Sequence, residues 1–213
     1  MRKITSDIPQ NALATIQKGT LKYKYKGVPC LKNPFDLCLY LKLIYELKPR
    51  SIIEIGSASG GSALWFADTL RSYNIDGHVY SVDLNKVMNT EDDRVTFLGG
   101  NALQLGLVLS EEFMSSLARP LLVIEDAAHT LEVTGAVLQF FKDHLKKSEY
   151  IIVEDGIVND LLGDQYQAYD NGPNRAILSF LESSSDFIID ENYCDYYGHN
   201  FTWCTNGYLT KIA

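Results

Sequence analysis

Asp126, Glu154 and Asp155 are the residues of this chain best placed to do chemistry. Asp126 ends the apolar run Leu121-Leu122-Val123-Ile124, and Glu154-Asp155 ends the run Tyr150-Ile151-Ile152-Val153. Carboxylates gathered at one place repel. A single pair at about 4 Å costs on the order of 4 kcal/mol at an effective dielectric of 20. They must hold a cation, share a proton or point apart. Oxygen-only ligands select a hard ion such as Mg2+. Such an ion can chelate two vicinal hydroxyls and lower the pKa of one. His129, one helical turn past Asp126 on this reading, is a candidate to take the released proton. The plainer alternative stays open: Asp126 caps the next helix, the Glu-Asp pair is solvated, and His129 makes one structural hydrogen bond.

Two strands and a crossover helix must position these groups. Residues 131–146, between the apolar runs, carry a helical period. Strand, crossover helix and strand form a parallel, right-handed unit, which puts both strand ends on one sheet edge. Ligands of open α/β sheets bind outside that carboxyl edge.

A second constellation belongs to the same edge. Ser51–Ile55 is an apolar strand followed by the turn Gly56-Ser57-Ala58-Ser59-Gly60-Gly61. Gly56 and Gly60 allow a tight turn and close approach of a ligand to bare backbone, and the next helix offers free N–H groups. The spacing G-x-x-x-G-G departs from the dinucleotide fingerprint G-x-G-x-x-G. Glu54, an acid inside the strand, suits a cationic ligand such as the amino or sulfonium end of S-adenosylmethionine. Asp83 ends the next strand, where an acid can accept hydrogen bonds from both ribose hydroxyls. Asn101, after the third strand, is a candidate adenine contact. The plain alternative is a tight turn with no ligand.

Punctuation along the rest of the chain is regular. Residues 1–33 have no strong period and are expected to form an N-terminal arm with short helical pieces. Residues 34–48 are an amphipathic helix ending before Pro49. Helices are expected at about 62–73, 102–118 and 173–182, with strands at 78–84, 95–98, 187–190 and 208–212. Residues 156–172 are expected to be a polar loop. The expected fold is α/β: a Rossmann-like, doubly wound, seven-stranded, mostly parallel sheet, its last two strands an antiparallel hairpin at one edge with no helix between them. Residues 34–213 are expected to form one domain.

The chain has 213 residues and a net charge of −8, which argues against a general nucleic-acid binder. No apolar run approaches the roughly 18–20 residues of a membrane span. The N-terminus has no signal-type apolar core, and Cys30, Cys38, Cys194 and Cys204 have no metal-type spacing. The expected setting is cytoplasmic, with reduced thiols. The aromatic-rich loop Tyr193–Trp203, with Tyr196 and Tyr197, is a candidate for substrate contact, for contact within a homo-oligomer or for core packing.

The chain resembles a known family. Gly27-Val28-Pro29, Lys32-Asn33-Pro34-Phe35-Asp36, Ile53-Glu54-Ile55-Gly56, Gly60-Gly61-Ser62-Ala63, Val153-Glu154-Asp155-Gly156 and Gly172-Pro173 recur, in this order, in cephalosporin hydroxylase-type proteins. Those proteins are class I S-adenosylmethionine-dependent methyltransferases, related to metal-dependent sugar O-methyltransferases of macrolide biosynthesis. The resemblance covers roughly residues 27–212. It implies the class I methyltransferase fold, Mg2+ on Asp126, Glu154 and Asp155, and His129 as general base. The expected acceptor is a small-molecule or sugar hydroxyl, and Glu54, Gly56, Gly60, Asp83 and Asn101 stay the cofactor contacts read from the residues themselves. The rival readings are a nicotinamide-dependent oxidoreductase and a non-catalytic binding or scaffold module.

Overall fold

The structure, a computed structural model, describes residues 2–213. The chain runs α1 (Gln10–Thr20), a small hairpin β1 (Lys24–Tyr25) and β2 (Val28–Pro29), α2 (Pro34–Leu47), β3 (Ser51–Ile55), α3 (Gly61–Ser72), β4 (His78–Asp83) and β5 (Val95–Gly99). It continues with α4 (Glu111–Ser116), β6 (Leu121–Glu125), α5 (Leu131–His144), β7 (Tyr150–Val153) and α6 (Asp164–Gln167), then α7 (Gly172–Ser183), β8 (Phe187–Ile189), α8 (Glu191–Cys194) and β9 (Tyr208–Lys211). β3 to β9 form one seven-stranded sheet in the order β5-β4-β3-β6-β7-β9-β8. β3 pairs parallel with β4 and with β6, and the strand order reverses across β3 and β6, the switch point where such sheets bind ligands.

The reason for this layering is visible in the strands. β3 and β6 are buried at every position, as expected of central strands covered by helices on both faces. Alternate residues enter opposite cores. Ile52, Ile124 and Ile152 pack with Leu39, Tyr40, Phe66 and Leu70 of α2 and α3. Ile53, Val123 and Ile151 pack with Val137, Phe141, Ile177 and Phe180 of α5 and α7. Each fully buried side chain of this kind contributes about 1.5–3 kcal/mol of transfer free energy. α2 starts where the Asn33 side chain accepts from the N–H groups of Phe35 and Asp36, with Pro34 in the first turn. It stops at left-handed Lys48.

Some expectations need correction. Residues 102–118 are not one helix. A 3-10 segment, Ala102–Leu107, breaks its helical dihedrals at Gln104, and Ser110 then caps the separate α4. The loop 156–172 contains a 3-10 turn, Gly156–Asn159, and α6. β8 and β9 are antiparallel as expected, but the short helix α8 lies between them and β9 sits inside the sheet, against β7. In the aromatic loop, Tyr193 and Trp203 are core residues, while Tyr196 and Tyr197 are exposed.

Ile8 and Leu13 of the N-terminal segment pack with Ile157, Leu161 and Trp203. The β1–β2 hairpin lies on α3, where a Cβ on Gly61 would come within 2.1 Å of the Pro29 carbonyl oxygen. That close approach fixes the chain leading to Lys32 over the sheet edge. The four cysteines are free, and three of them are buried. Among the described residues no helix is long and apolar enough to cross a membrane.

Candidate active site

A cleft of about 390 Å³ opens at the carboxyl edge over β3, β4, β6 and β7. This is within the usual range for small-molecule sites. Two sets of residues line it.

The first set surrounds the glycine turn. Gly56 has φ +110°, and a Cβ there would lie 2.0 Å from the Asp126 carbonyl oxygen. Only glycine lets the turn lie this close to the end of β6. Gly60, at φ +85°, caps α3, and its N–H donates to the Ser57 carbonyl at 2.7 Å. Asp83, at the tip of β4, accepts from the N–H groups of Ala58 and Asn85, each at 3.0 Å. It therefore ties the glycine turn to the neighbouring strand. Asn101 lines the cleft, and its side-chain oxygen caps the 3-10 segment by accepting from Leu103 N–H at 2.9 Å.

Glu54 does not line the cleft, contrary to the direct contact expected of it. It is fully buried one layer behind the wall. Strand alternation is the reason. Residue 54 lies on the same side of β3 as Ile52, facing α2 and α3, while Ile55 reaches the cleft. The Ser81 hydroxyl donates to Glu54 Oε2 at 2.5 Å and lies 2.6 Å from the hydroxyl of Ser57, which does line the cleft. Glu54 Oε1 is buried without a hydrogen-bond partner. Burial raises its pKa, against the pull of Lys32.

The second set holds charge. One ligand atom each of Asp126, His129 and Asp155 lies within 4.8 Å of the other two. Asp126 N–H donates to the Ile55 carbonyl at 2.8 Å, so the carboxylate begins where β6 meets β3. His129 Nε2 is 3.2 Å from Asp155 Oδ2, and Tyr169 stands edge-on to the imidazole at 5.4 Å. His129 Nδ1 is buried without a partner.

His129 is not one helical turn past Asp126. It is left-handed (φ +54°), and Thr130 caps α5 after it by accepting from Val133 N–H. Asp155 is left-handed as well (φ +56°). Two such non-glycine residues facing each other are strained backbone, of a kind that gathers at functional sites.

Glu154 stands apart from this trio. Its Oε1 accepts from the Lys32 ammonium at 2.6 Å and from the Tyr40 hydroxyl at 2.6 Å. Lys32 also donates to Asp126 Oδ2. Lys32 thus joins Glu154 to Asp126. Asp126 and Asp155 line the cleft, while Glu154 lies beneath it. Successive residues at the end of a strand point to opposite sides.

Lys32 and Glu125 are additions that sequence reasoning assigned no role. Glu125 is buried and accepts from Ala127 N–H at 3.2 Å and from the Thr134 hydroxyl at 3.1 Å. The signals for Lys32 were its place in the recurring run Lys32-Asn33-Pro34-Phe35-Asp36 and the presence of carboxylates that need a counter-charge.

The electrostatics follow from crowding. Burial lifts Asp126 to about 6, with Lys32 opposing and Asp155 adding to the rise. Burial and Asp126 lift Glu154 to about 7, again against Lys32. Burial disfavours the Lys32 charge, but Asp126, Glu154 and Glu54 hold the ammonium well above its ordinary value. Burial likewise works against His129, and Asp155, Asp126 and Glu125 raise it. Five carboxyl groups, Glu54, Glu125, Asp126, Glu154 and Asp155, crowd one ammonium and one imidazole, and burial holds protons on several of them. A hard cation at Asp126 and Asp155 would fit the oxygen donors on offer.

The family model described as Rhamnosyl O-methyltransferase/CmcI matches residues 17–212. The rhamnosyl O-methyltransferase of Mycobacterium leprae is 27% identical over 192 residues, covering 88% of this chain and 82% of its own length. That of Mycobacterium tuberculosis is 25% identical over 197 residues, covering 89% and 78%. A solved structure of CmcI described as Mg-SAM aligns with a TM-score of 0.69 at 23% identity, covering 100% of this chain and 90% of its own. The MycE methyltransferase of the mycinamycin pathway, in complex with Mg, SAH and mycinamycin VI, aligns with a TM-score of 0.52 at 15% identity, covering 68% and 40%. At these identities the two structures speak for the fold, which is that of the S-adenosylmethionine-dependent methyltransferases. The match of the family model over most of the chain goes further: this protein belongs to the rhamnosyl O-methyltransferase/CmcI family.

Proposed function

We propose that this protein transfers a methyl group from S-adenosylmethionine to a hydroxyl of a sugar moiety, with a divalent cation at the acceptor. One observation carries the reading. The glycine turn with Asp83 and the trio Asp126, His129 and Asp155 share a single cleft. The relatives named rhamnosyl O-methyltransferases support a deoxysugar such as a rhamnosyl group as acceptor.

Gly56 and Gly60 leave room for the cofactor at the switch point, and Asp83 accepts from its ribose hydroxyls. Asn101, on the cleft wall, would contact the adenine. Glu54 acts at one remove, fixing Ser81 and, through it, the cleft-facing Ser57. Asp126 and Asp155 would hold the cation, and the chemistry it would supply is a more acidic acceptor hydroxyl. His129 accepts the hydroxyl proton as the acceptor oxygen bonds to the methyl carbon and the sulfonium leaves as a thioether. Asp155 and Asp126, the first two groups that raise the imidazole pKa, are those a cation would neutralise. Positioning supplies the rest, because an in-line transfer needs oxygen, carbon and sulfur aligned. Residues 34–213 make up the catalytic unit on this reading, and the arm before it supplies Pro29, Leu31 and Lys32 to the wall of the cleft.

The test is methyl transfer from labelled S-adenosylmethionine to a panel of rhamnosides, with Mg2+ and then with EDTA. Transfer that EDTA abolishes and Mg2+ restores is the expected result. No transfer to any sugar, together with no S-adenosylhomocysteine binding, contradicts the reading.

A further inference from the structure

Between Asp7 and Asp36 the chain has five lysines and no acid, although its net charge is −8. Two of the five are satisfied internally. Lys26 pairs with Asp68, and Lys32 is buried between Asp126 and Glu154. Among the described residues the only other lysine in an ion pair is Lys42, which leaves Lys18, Lys22 and Lys24 exposed and unpaired. Exposed leucines lie beside them. Leu21 is 54% exposed and Leu31 49%. Leu162, 78% exposed, lines an apolar groove together with Leu21 and Lys18.

The β1–β2 hairpin sorts these side chains by face. Lys24 pairs with Pro29 and Tyr25 with Val28, and Cys30 N–H continues the ladder by donating to the Tyr23 carbonyl at 3.0 Å. Cross-strand partners share a face, and successive residues alternate between faces. Tyr25, Val28 and Cys30 turn inward. The Tyr25 hydroxyl donates to Asp68 of α3 at 2.7 Å, and Cys30 is buried. Lys24, Pro29 and Leu31 turn outward, and Pro29 and Leu31 also line the cleft. Lys18 and Leu21, at the end of α1, lead directly into Lys22 and this hairpin. The basic and apolar residues therefore border the cleft.

We infer that the surface formed by residues 18–31 docks on an anionic lipid layer, with Lys18, Lys22 and Lys24 at the headgroups and Leu21 and Leu31 in the acyl boundary. Charge sets the orientation. An anionic surface repels most of this acidic chain and attracts the acid-free stretch. The leucines select the partner. A free phosphate or a nucleic-acid backbone would satisfy the lysines and leave the leucines in water, whereas a lipid boundary takes up both. Basic and apolar contacts together are what reversible surface binding needs. Docking on this face holds one edge of the cleft against the lipid layer. It goes beyond the proposed function and stands or falls apart from it.

The test is co-sedimentation of the full chain with vesicles of phosphatidylcholine, with and without a third of phosphatidylglycerol, with thermal melting and light scattering alongside. Wild type should bind the anionic vesicles and not the neutral ones. Binding at about 0.1 M salt should be lost at about 1 M, where the Debye length falls from about 10 Å to about 3 Å. Each lysine close to such a surface strengthens binding about fivefold, so the triple variant Lys18→Gln, Lys22→Gln, Lys24→Gln should bind at least about tenfold more weakly. Leu21→Ser should bind about three- to tenfold more weakly, the loss expected for a half-exposed leucine that gains an apolar partner. The control triple variant Lys48→Gln, Lys146→Gln, Lys147→Gln removes equal charge at the opposite sheet edge, just before β3 and β7, and should bind within about twofold of wild type. If the first triple variant does not fold, Leu21→Ser and the salt series decide.

No binding to the anionic vesicles overturns the inference, as does equal binding to neutral ones. Equal weakening by the two triple variants overturns it too, because the attraction would then be general. Release from the vesicles by inorganic phosphate, at an ionic strength where chloride does not release the protein, would mean a phosphate site and not a lipid surface. Salt-sensitive self-association that the first triple variant loses, without vesicle binding, would mean that a second copy covers this face. Failure to bind S-adenosylhomocysteine counts against methyl transfer and leaves the vesicle comparison standing.

Discussion

The two halves of the sheet edge are built on different physical terms. Over β3 to β5 the cleft is shaped by missing side chains. Gly56 and Gly60 adopt positive φ where a Cβ would collide with the Asp126 backbone or with Phe97. The single acid on that wall, Asp83, is partly exposed and already bonded to two backbone N–H groups. Over β6 and β7 the cleft is shaped by excess charge, with Asp126, Glu154, Glu125, His129 and Lys32 packed together and left-handed His129 facing left-handed Asp155. The first half carries little charge and leaves room for a ligand, although Ala58 in its turn is left-handed too (φ +44°). The second stores repulsion and backbone strain, and a bound cation and an acceptor would relieve the repulsion. Binding and chemistry therefore depend on separable residues, and variants should sort into two groups.

The largest expected effect is on the charged half. His129→Ala should lose turnover by about 10²–10⁴-fold, the usual range for a general base, with S-adenosylhomocysteine affinity unchanged by calorimetry. Its deficit should shrink at high pH, where the acceptor hydroxyl ionises without help. Turnover within about twofold of wild type at neutral pH would take His129 out of the chemistry.

Gly56→Ala probes the seam between the halves. The new Cβ meets the Asp126 carbonyl oxygen at a φ of +110°. Strain and overpacking together should cost about 2–4 kcal/mol of stability, seen as a lower denaturation midpoint. Both cofactor affinity and turnover should fall, because the turn and the Asp126 backbone share this contact. An unchanged midpoint would mean the turn and the end of β6 are less closely packed than described.

A further effect is on pH dependence. Burial lifts Glu125 to about 7 and Asp36 to about 7, above their unfolded values near 4. In both, hydrogen-bond donors oppose the shift. A carboxyl whose folded pKa is raised binds its proton more tightly in the native state. The stability it contributes is present at low pH and is lost as pH rises through about 7. The metal-free protein should therefore lose stability between pH 5 and about 7.5, measured by chemical denaturation in EDTA. A rise over that interval would show that these carboxyls are not held in the protonated form.

Much of this was legible in the chain, for identifiable reasons. Ser51–Ile55 and Leu121–Ile124 are continuous apolar runs because helices cover both faces of their strands. The glycine turn and Asp83 lie at strand tips, where local sequence and topology together suffice. What stayed hidden depends on side-chain direction after a strand ends, and on distant partners. Period-two alternation separates Glu54 from Ile55 but does not say which of them reaches the cleft. Ala127-Ala128-His129 reads as the start of a helix, yet Thr130 makes the better cap and leaves His129 outside it. Lys32 is 94 residues from Asp126 and 122 from Glu154, so its role arises from tertiary packing alone.

The most direct test of the division between binding and chemistry is calorimetric titration of S-adenosylhomocysteine into wild type, His129→Ala and Asp83→Ala, each in EDTA. Wild type and His129→Ala should bind with equal affinity, and Asp83→Ala should bind more weakly by about 1–3 kcal/mol, the cost of stranding hydrogen-bonded ribose hydroxyls. Equal affinity in all three proteins, or binding that depends on His129 and not on Asp83, would contradict the account.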